Sequence, residues 1–157
     1  VIKVSSKNCD LEKASSLQQF EGYKFDVIFH LAAWTQAGDF CLYHSGDQWI
    51  KNQRINTNIL AFWQSHQKHA KMIGVGTSCS YDADILHEEE NYLKGKPIDS
   101  LLSYAMTKRM LLYGLMALHK QYGLNYLYVI PSTLYGANYH TDGRQMHFIF
   151  DLIRKII

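Results

Sequence analysis

Three continuous apolar runs, FDVIFHLAA (Phe25 to Ala33), KMIGVGTS (Lys71 to Ser78) and LNYLYVI (Leu124 to Ile130), are separated by two long segments whose apolar residues recur at helical spacing. That alternation restricts the chain to few folds. Runs that are apolar at consecutive positions suit strands covered on both faces, the situation of a parallel sheet. Parallel neighbours need crossovers, and two segments are long enough to be the crossover helices: QWIKNQRINTNILAFWQSHQKHA, beginning at Gln48, and the stretch from Leu101 to Tyr122. Upstream, VIKVSS reads as a further strand, with Asp10 placed to cap a helix over LEKASSLQQF. Downstream, Pro131 stops the last strand, and an amphipathic helix through Ile157 follows a loop ending near Gln145. The expected fold is α/β with a parallel sheet and right-handed crossovers.

Composition narrows the partners. A chain of 157 residues with 47% hydrophobic and 19% charged positions can bury one sizeable core, so a single domain is expected. The net charge of +2, with basic residues scattered, points to neither a nucleic acid nor a membrane surface. There is no bilayer-length apolar run and no signal-peptide layout at the start, so a cytoplasmic enzyme is expected. Cys9, Cys41 and Cys79 form no CxxC pair, which fits a reducing compartment. No metal site is expected, since His66 and His69 have no third ligand nearby and read as a solvated helix face.

The chemistry-bearing string is Ser103-Tyr104-Ala105-Met106-Thr107-Lys108, at the start of the second long helix. Four residues is one helical turn, so Tyr104 and Lys108 share a face, and a nearby ammonium is expected to draw the phenol's pKa down from about 10. A Tyr and a Lys four apart are common on surface helices, and context has to decide. Gly76-Thr77-Ser78-Cys79-Ser80-Tyr81 puts hydroxyls at the C-terminal end of a strand, where open α/β sheets place their ligands. Leu31, Ala32 and Ala33 end the preceding strand with small residues that let a flat ring approach. Gly74 and Gly76 lie inside a strand rather than opening a helix, so their expected role is close backbone approach and not phosphate binding.

FDVIFHLAA, Asn52 with Asn58, GTSCSY, SYAMTK and PSTLYG follow the order and spacing of the extended short-chain dehydrogenase/reductases, and the chain most resembles their GDP-L-fucose synthase branch. The resemblance implies a doubly wound, Rossmann-like sheet. It is incomplete here, because the family's opening strand with its GxxGxxG turn and its C-terminal substrate lobe have no counterpart. Residues 1–157 are therefore expected to be part of a dinucleotide-binding domain within a longer protein. The implied cofactor is NADP, with NAD possible; the implied substrate is a nucleotide sugar, and the implied assembly a homodimer through the two long helices. Phe62, Trp63, Leu112 and Met116 are the apolar residues assigned to that interface.

Roles implied by the resemblance fall on matching positions. Tyr104 resembles the proton donor at a C4 ketone, Lys108 the holder of the nicotinamide ribose, and Thr77 the third hydroxyl. Cys79 and His147 match an acid/base pair that inverts C3 and C5. Asp10 and Leu11 match the adenine side, Leu31, Ala32, Ala33 and Pro131 the dinucleotide path, and Asn52 a structural helix position. Thr133 and Lys155 are candidate substrate contacts, Lys155 toward a diphosphate. Thr133 stands where the branch has Asn and Ala137 where it has Pro, which leaves the sugar open. Alternatives are a nucleotide-sugar 4-epimerase, a simple 4-reductase and a non-catalytic binding protein on the same fold. A 4,6-dehydratase is disfavoured because Ser78-Cys79 stands where that class carries Asp-Glu.

Overall fold

The computed structural model describes residues 1–36, 39–132, 134, 136 and 148–156, with the side chain of residue 148 left out. Its sheet has three parallel strands in chain order, β1 (Val27–His30), β2 (Lys71–Val75) and β3 (Tyr126–Val129). A short helix α1 (Phe40–Tyr43) precedes α2 (Ser45–His66); α3 (Leu102–Tyr122) joins β2 to β3, and α4 (Phe148–Ile156) closes the described chain. Gly123, at φ 68°, ends α3 in the left-handed conformation that favours glycine, and its N–H caps the His119 carbonyl.

Register aligns the side chains in rows. Ile28, Met72 and Tyr126 form one row and His30, Gly74 and Tyr128 the next, both facing the helices. There Ile59, Phe62 and Trp63 of α2 and Leu111 and Leu115 of α3 pack with Met72 into the core. A side chain at Gly74 would put its Cβ 2.8 Å from Leu115, so the expected close approach is what the structure has.

Three sequence expectations are corrected. The β1 run is not covered on both faces: Val27 and Phe29 are exposed, as are Leu127 and Val129 of β3. Strands laid down in the order 1-2-3 by crossovers of one hand put both helices on the same face, so this part of the incomplete Rossmann-like sheet has its other face uncovered among the described residues. VIKVSS is not a strand but exposed coil, since an extended segment becomes a strand only through ladder bonds with a neighbour. The LEKASSLQQF helix is a shorter 3-10 turn, Ala14–Phe20, and Asp10 accepts the Glu12 N–H at 3.1 Å instead of capping that helix.

Both long helices divide lengthwise. On the buried stripe of α2, Gln48, Asn52 and Asn56, with Ile55 among them, precede Ile59, Phe62 and Trp63; on that of α3, Ala105, Thr107, Lys108 and Arg109 precede Leu111 and Leu115. The polar halves lie at the helix N-terminal ends, which in a parallel α/β layer sit beside the strand C-terminal ends. The site follows from that division.

Candidate active site

Lys108 fixes α3 to the sheet. Its side chain is buried, and Nζ donates to the Val75 carbonyl at 2.9 Å, the last residue of β2. Tyr104, one turn earlier, lies with its ring centroid 5.8 Å from that nitrogen. Beyond β2, Thr77 caps the short turn Ser78–Ser80, its Oγ1 accepting the Cys79 N–H at 3.3 Å. The turn is pinned to α3, where Ser80 Oγ donates to the Ala105 carbonyl at 3.1 Å. Tyr104, Lys108, Thr77 and Cys79 therefore converge at the C-terminal end of β2. Cys79 is exposed, whereas Cys9 and Cys41 are buried.

Electrostatics at this junction differ from the sequence expectation. Burial, reinforced by the neighbouring Cys79, Cys41 and Tyr92, pushes the Tyr104 phenol up to about 12 rather than down. Burial also draws Lys108 down to about 8. The cause is that both groups lose water while the amine's short bond goes to a carbonyl and not to the phenol. At neutral pH Tyr104 is thus a protonated acid beside a cation.

A second polar layer was not anticipated. His30, at the end of β1, is buried and held down at about 4 by burial, with Lys108 adding to the effect and the Asn56 bond opposing it. Asn56 Nδ2 donates to the Thr107 carbonyl at 3.2 Å, so its Oδ1 is the acceptor for His30 Nε2–H at 2.8 Å. Asn52 grips Trp34 from both sides, accepting its N–H at 2.7 Å and donating to its carbonyl at 3.1 Å. Gln48 donates to Thr35 Oγ1 and to the Cys41 thiol, and its Oε1 is buried without a partner among the described residues. The buried Arg109 guanidinium donates twice to the Ser80 carbonyl, at 2.6 and 3.0 Å, and to the carbonyls of Lys94 and Gly95, both at 2.8 Å. The only sequence trace of this layer was polar residues recurring at helical spacing within otherwise apolar faces.

The remaining candidates are distributed as follows. Ala32 and Ala33 are half-buried just past β1, Leu31 is exposed beside them, and Pro131 follows β3. Asp10 and Leu11 are held near α2, Leu11 through its carbonyl, which accepts from Asn58 Nδ2 at 2.8 Å. Lys155 pairs with Asp151 of its own helix at 2.7 Å, as does Arg154. His147, Thr133 and Ala137 lie outside the described residues. Phe62 and Trp63, assigned to a subunit interface, are instead in the core, while Met116 is exposed. His66 stacks on Phe62 and lies 3.6 Å from Glu21, and no metal-ligating cluster occurs among the described residues.

A parallel α/β sheet with a tyrosine, a lysine and a strand-end hydroxyl converging at its C-terminal edge defines a Rossmann-like domain. Comparison with known proteins makes the assignment specific. The NAD dependent epimerase/dehydratase family matches residues 2–157, and the chain belongs to that family. A GDP-L-fucose synthase of Dictyostelium discoideum is 31% identical over 156 residues, covering 96% of this chain and 48% of that protein. A GDP-L-fucose synthetase from Naegleria fowleri bound to NADP matches with a TM-score of 0.70 and 29% identity, over 87% of this chain and 42% of the other. The GDP-D-glycero-L-gluco-heptose synthase of Campylobacter jejuni, solved in the presence of NADPH, shares the fold with a TM-score of 0.86 at 19% identity, over 98% of this chain and 46% of the other. The chain thus spans about half the length of the relatives it matches.

Proposed function

We propose that the chain is part of the dinucleotide-binding domain of an NADP-dependent enzyme that reduces C4 of a 4-keto-6-deoxy nucleotide sugar, GDP-linked, and epimerises C3 and C5 of the same sugar. The observation that carries this reading is the junction of α3 with β2, where the Lys108–Val75 bond holds the Tyr104 turn of α3 at the strand end that leads into Thr77 and Cys79. The two GDP-L-fucose synthase relatives support the substrate class.

The residues present fit the nicotinamide end of the cofactor: the Lys108 amine can hold its ribose, and half-buried Ala32 and Ala33 leave room for a flat ring. No glycine-rich turn opens a helix after any described strand, so the diphosphate end finds no cradle among these residues. When bound, NADPH supplies the hydride that reaches C4. Tyr104, raised to about 12, is the protonated acid that delivers a proton to the ketone oxygen as its π bond breaks, and ketone becomes alcohol. Thr77 donates to the same oxygen. For inversion, Cys79 removes a proton from the carbon beside the ketone, Tyr104 and Thr77 hold the enolate oxygen, and His147 returns a proton from the opposite face.

The test is NADPH oxidation with GDP-4-keto-6-deoxymannose in deuterium oxide. Tyr104→Phe is expected to abolish NADPH oxidation, and Cys79→Ser to suppress deuterium uptake at C3 and C5. Deuterium uptake unchanged in Cys79→Ser removes the epimerase half and leaves a simple 4-reductase. Absence of any oxidation by the wild type overturns the whole reading. A cytoplasmic location is part of the same proposal; no described helix is long and apolar enough to cross a membrane. A homodimer through α2 and α3 is part of the same proposal, and the exposed Met110, Tyr113 and Met116 on α3 support it. A monomer by sedimentation would count against that part alone.

A further inference from the structure

We infer that the hydroxyls of Tyr92 and Tyr128 form a directional hydrogen-bond chain from the Thr77 amide to the Lys108 carbonyl, which makes both phenols positioning residues for the Tyr104 site. Four groups stand in line. Thr77 N–H donates to Tyr92 Oη at 3.4 Å, Tyr92 Oη lies 3.0 Å from Tyr128 Oη, and Tyr128 Oη donates to the Lys108 carbonyl at 2.8 Å. A phenol has one proton to give. Because that of Tyr128 goes to Lys108, the Tyr92–Tyr128 bond must be donated by Tyr92, which leaves the Tyr92 oxygen as acceptor for Thr77. Direction is therefore fixed along the whole chain.

Its two ends are main-chain atoms of two site residues on different elements, the exit of β2 and the middle of α3. Neither phenol comes from those elements: Tyr92 follows the 3-10 turn Glu89–Asn91, and Tyr128 belongs to β3. Tyr92 is almost fully buried, and the two rings pack at 60° with centroids 5.7 Å apart, so ring packing holds the oxygens in place. Gly76 completes the device, because a Cβ there would sit 2.7 Å from both phenol oxygens. Thr77 follows Gly76 directly, so the strand must pass against the two hydroxyls at the residue before its functional side chain. An unpaired hydroxyl in this buried setting is costly, so loss of one member disturbs the other.

The test uses Tyr92→Phe and Tyr128→Phe, which keep the rings and remove one oxygen each, and Gly76→Ala, which keeps both phenols but drives a methyl group against their oxygens. Amide exchange at Thr77 is expected to rise by about fivefold or more in all three, with the amides of Ile59 and Phe62 in α2 unchanged. The kinetic arm rests on the proposed reductase reading. There kcat is expected to fall about tenfold with the KM for NADPH within about twofold, and the double Tyr→Phe variant to lose no more than the worse single. A Met72→Leu variant with a similar loss of Tm but unchanged kcat separates positioning from general destabilisation. Unchanged Thr77 exchange, or multiplicative losses in the double variant, overturns the inference. If the wild type turns over no keto-sugar, the reductase reading fails and the exchange arm alone decides this one.

Discussion

Replacing Arg109 by Met should cost the protein about 3 kcal/mol, because its four donated bonds end on carbonyls that differ in their access to water. Two go to the carbonyl of Ser80, a fully buried residue, and one each to Lys94 and Gly95, which lie in an exposed turn. Water can take over the last two acceptors, so they add little. The Ser80 carbonyl cannot be reached in the same way. Losing its charge-assisted bonds while the acceptor stays dry costs about 1.5–3 kcal/mol, and the smaller contributions bring the sum to about 3. For a chain of this size that corresponds to a fall in Tm of about 6–12 °C. Arg109→Lys keeps the charge and part of the stem but not the planar fork, so it should recover less than about half of the loss. Urea unfolding and calorimetry of the three proteins measure both quantities. A loss below about 1 kcal/mol, or a lysine variant as stable as the wild type, would refute the idea that the fork holds the Cys79 turn on α3.

Acid should destabilise the fold through His30. Its folded pKa of about 4 lies below the unfolded value of about 6.5, so the unfolded chain binds the proton first and stability is lost as pH falls from about 6.5 through about 4. The full window is worth about 3 kcal/mol, and His30→Gln should flatten unfolding free energy measured across it. Lys108 works in the same direction at higher pH: drawn down to about 8 against about 10.5 unfolded, it should make the wild type more stable as pH rises between those values. Lys108→Met should therefore raise Tm at pH 7 while removing NADPH oxidation, and a lowered Tm in calorimetry would contradict the burial cost assigned to the amine. Among the three thiols, exposed Cys79 alone should alkylate rapidly with iodoacetamide in the native protein, with Cys9 and Cys41 following only on unfolding, as peptide mass spectrometry would show.

Local periodicity made the three paired strands and two long helices legible, because each pattern repeats within a few residues of itself. The Tyr104–Lys108 face was legible for the same reason, since one helical turn fixes it wherever the helix lies. The close approaches at Gly74 and Gly76 could likewise be expected, as glycine inside a strand has few other uses. Failures cluster where a partner is needed. VIKVSS has strand-like residues but no ladder, and FDVIFHLAA has the composition of a doubly covered strand yet shows one face to solvent. Arg109 gave no signal because its acceptors are backbone carbonyls 14 to 29 residues away, which no residue type announces. Tyr92 and Tyr128 are 36 residues apart and meet only once the turn Glu89–Asn91 packs against β3.

From the letters alone came the order of elements and the chemical identity of the groups at the α3 turn. The fold decided how those groups ionise, by withdrawing water from Tyr104 and Lys108 together, and which main-chain atoms hold them in place. Spacing along a helix is a local property of one chain segment, whereas burial and hydrogen-bond partners are contributed by segments distant in sequence and exist only once these have met.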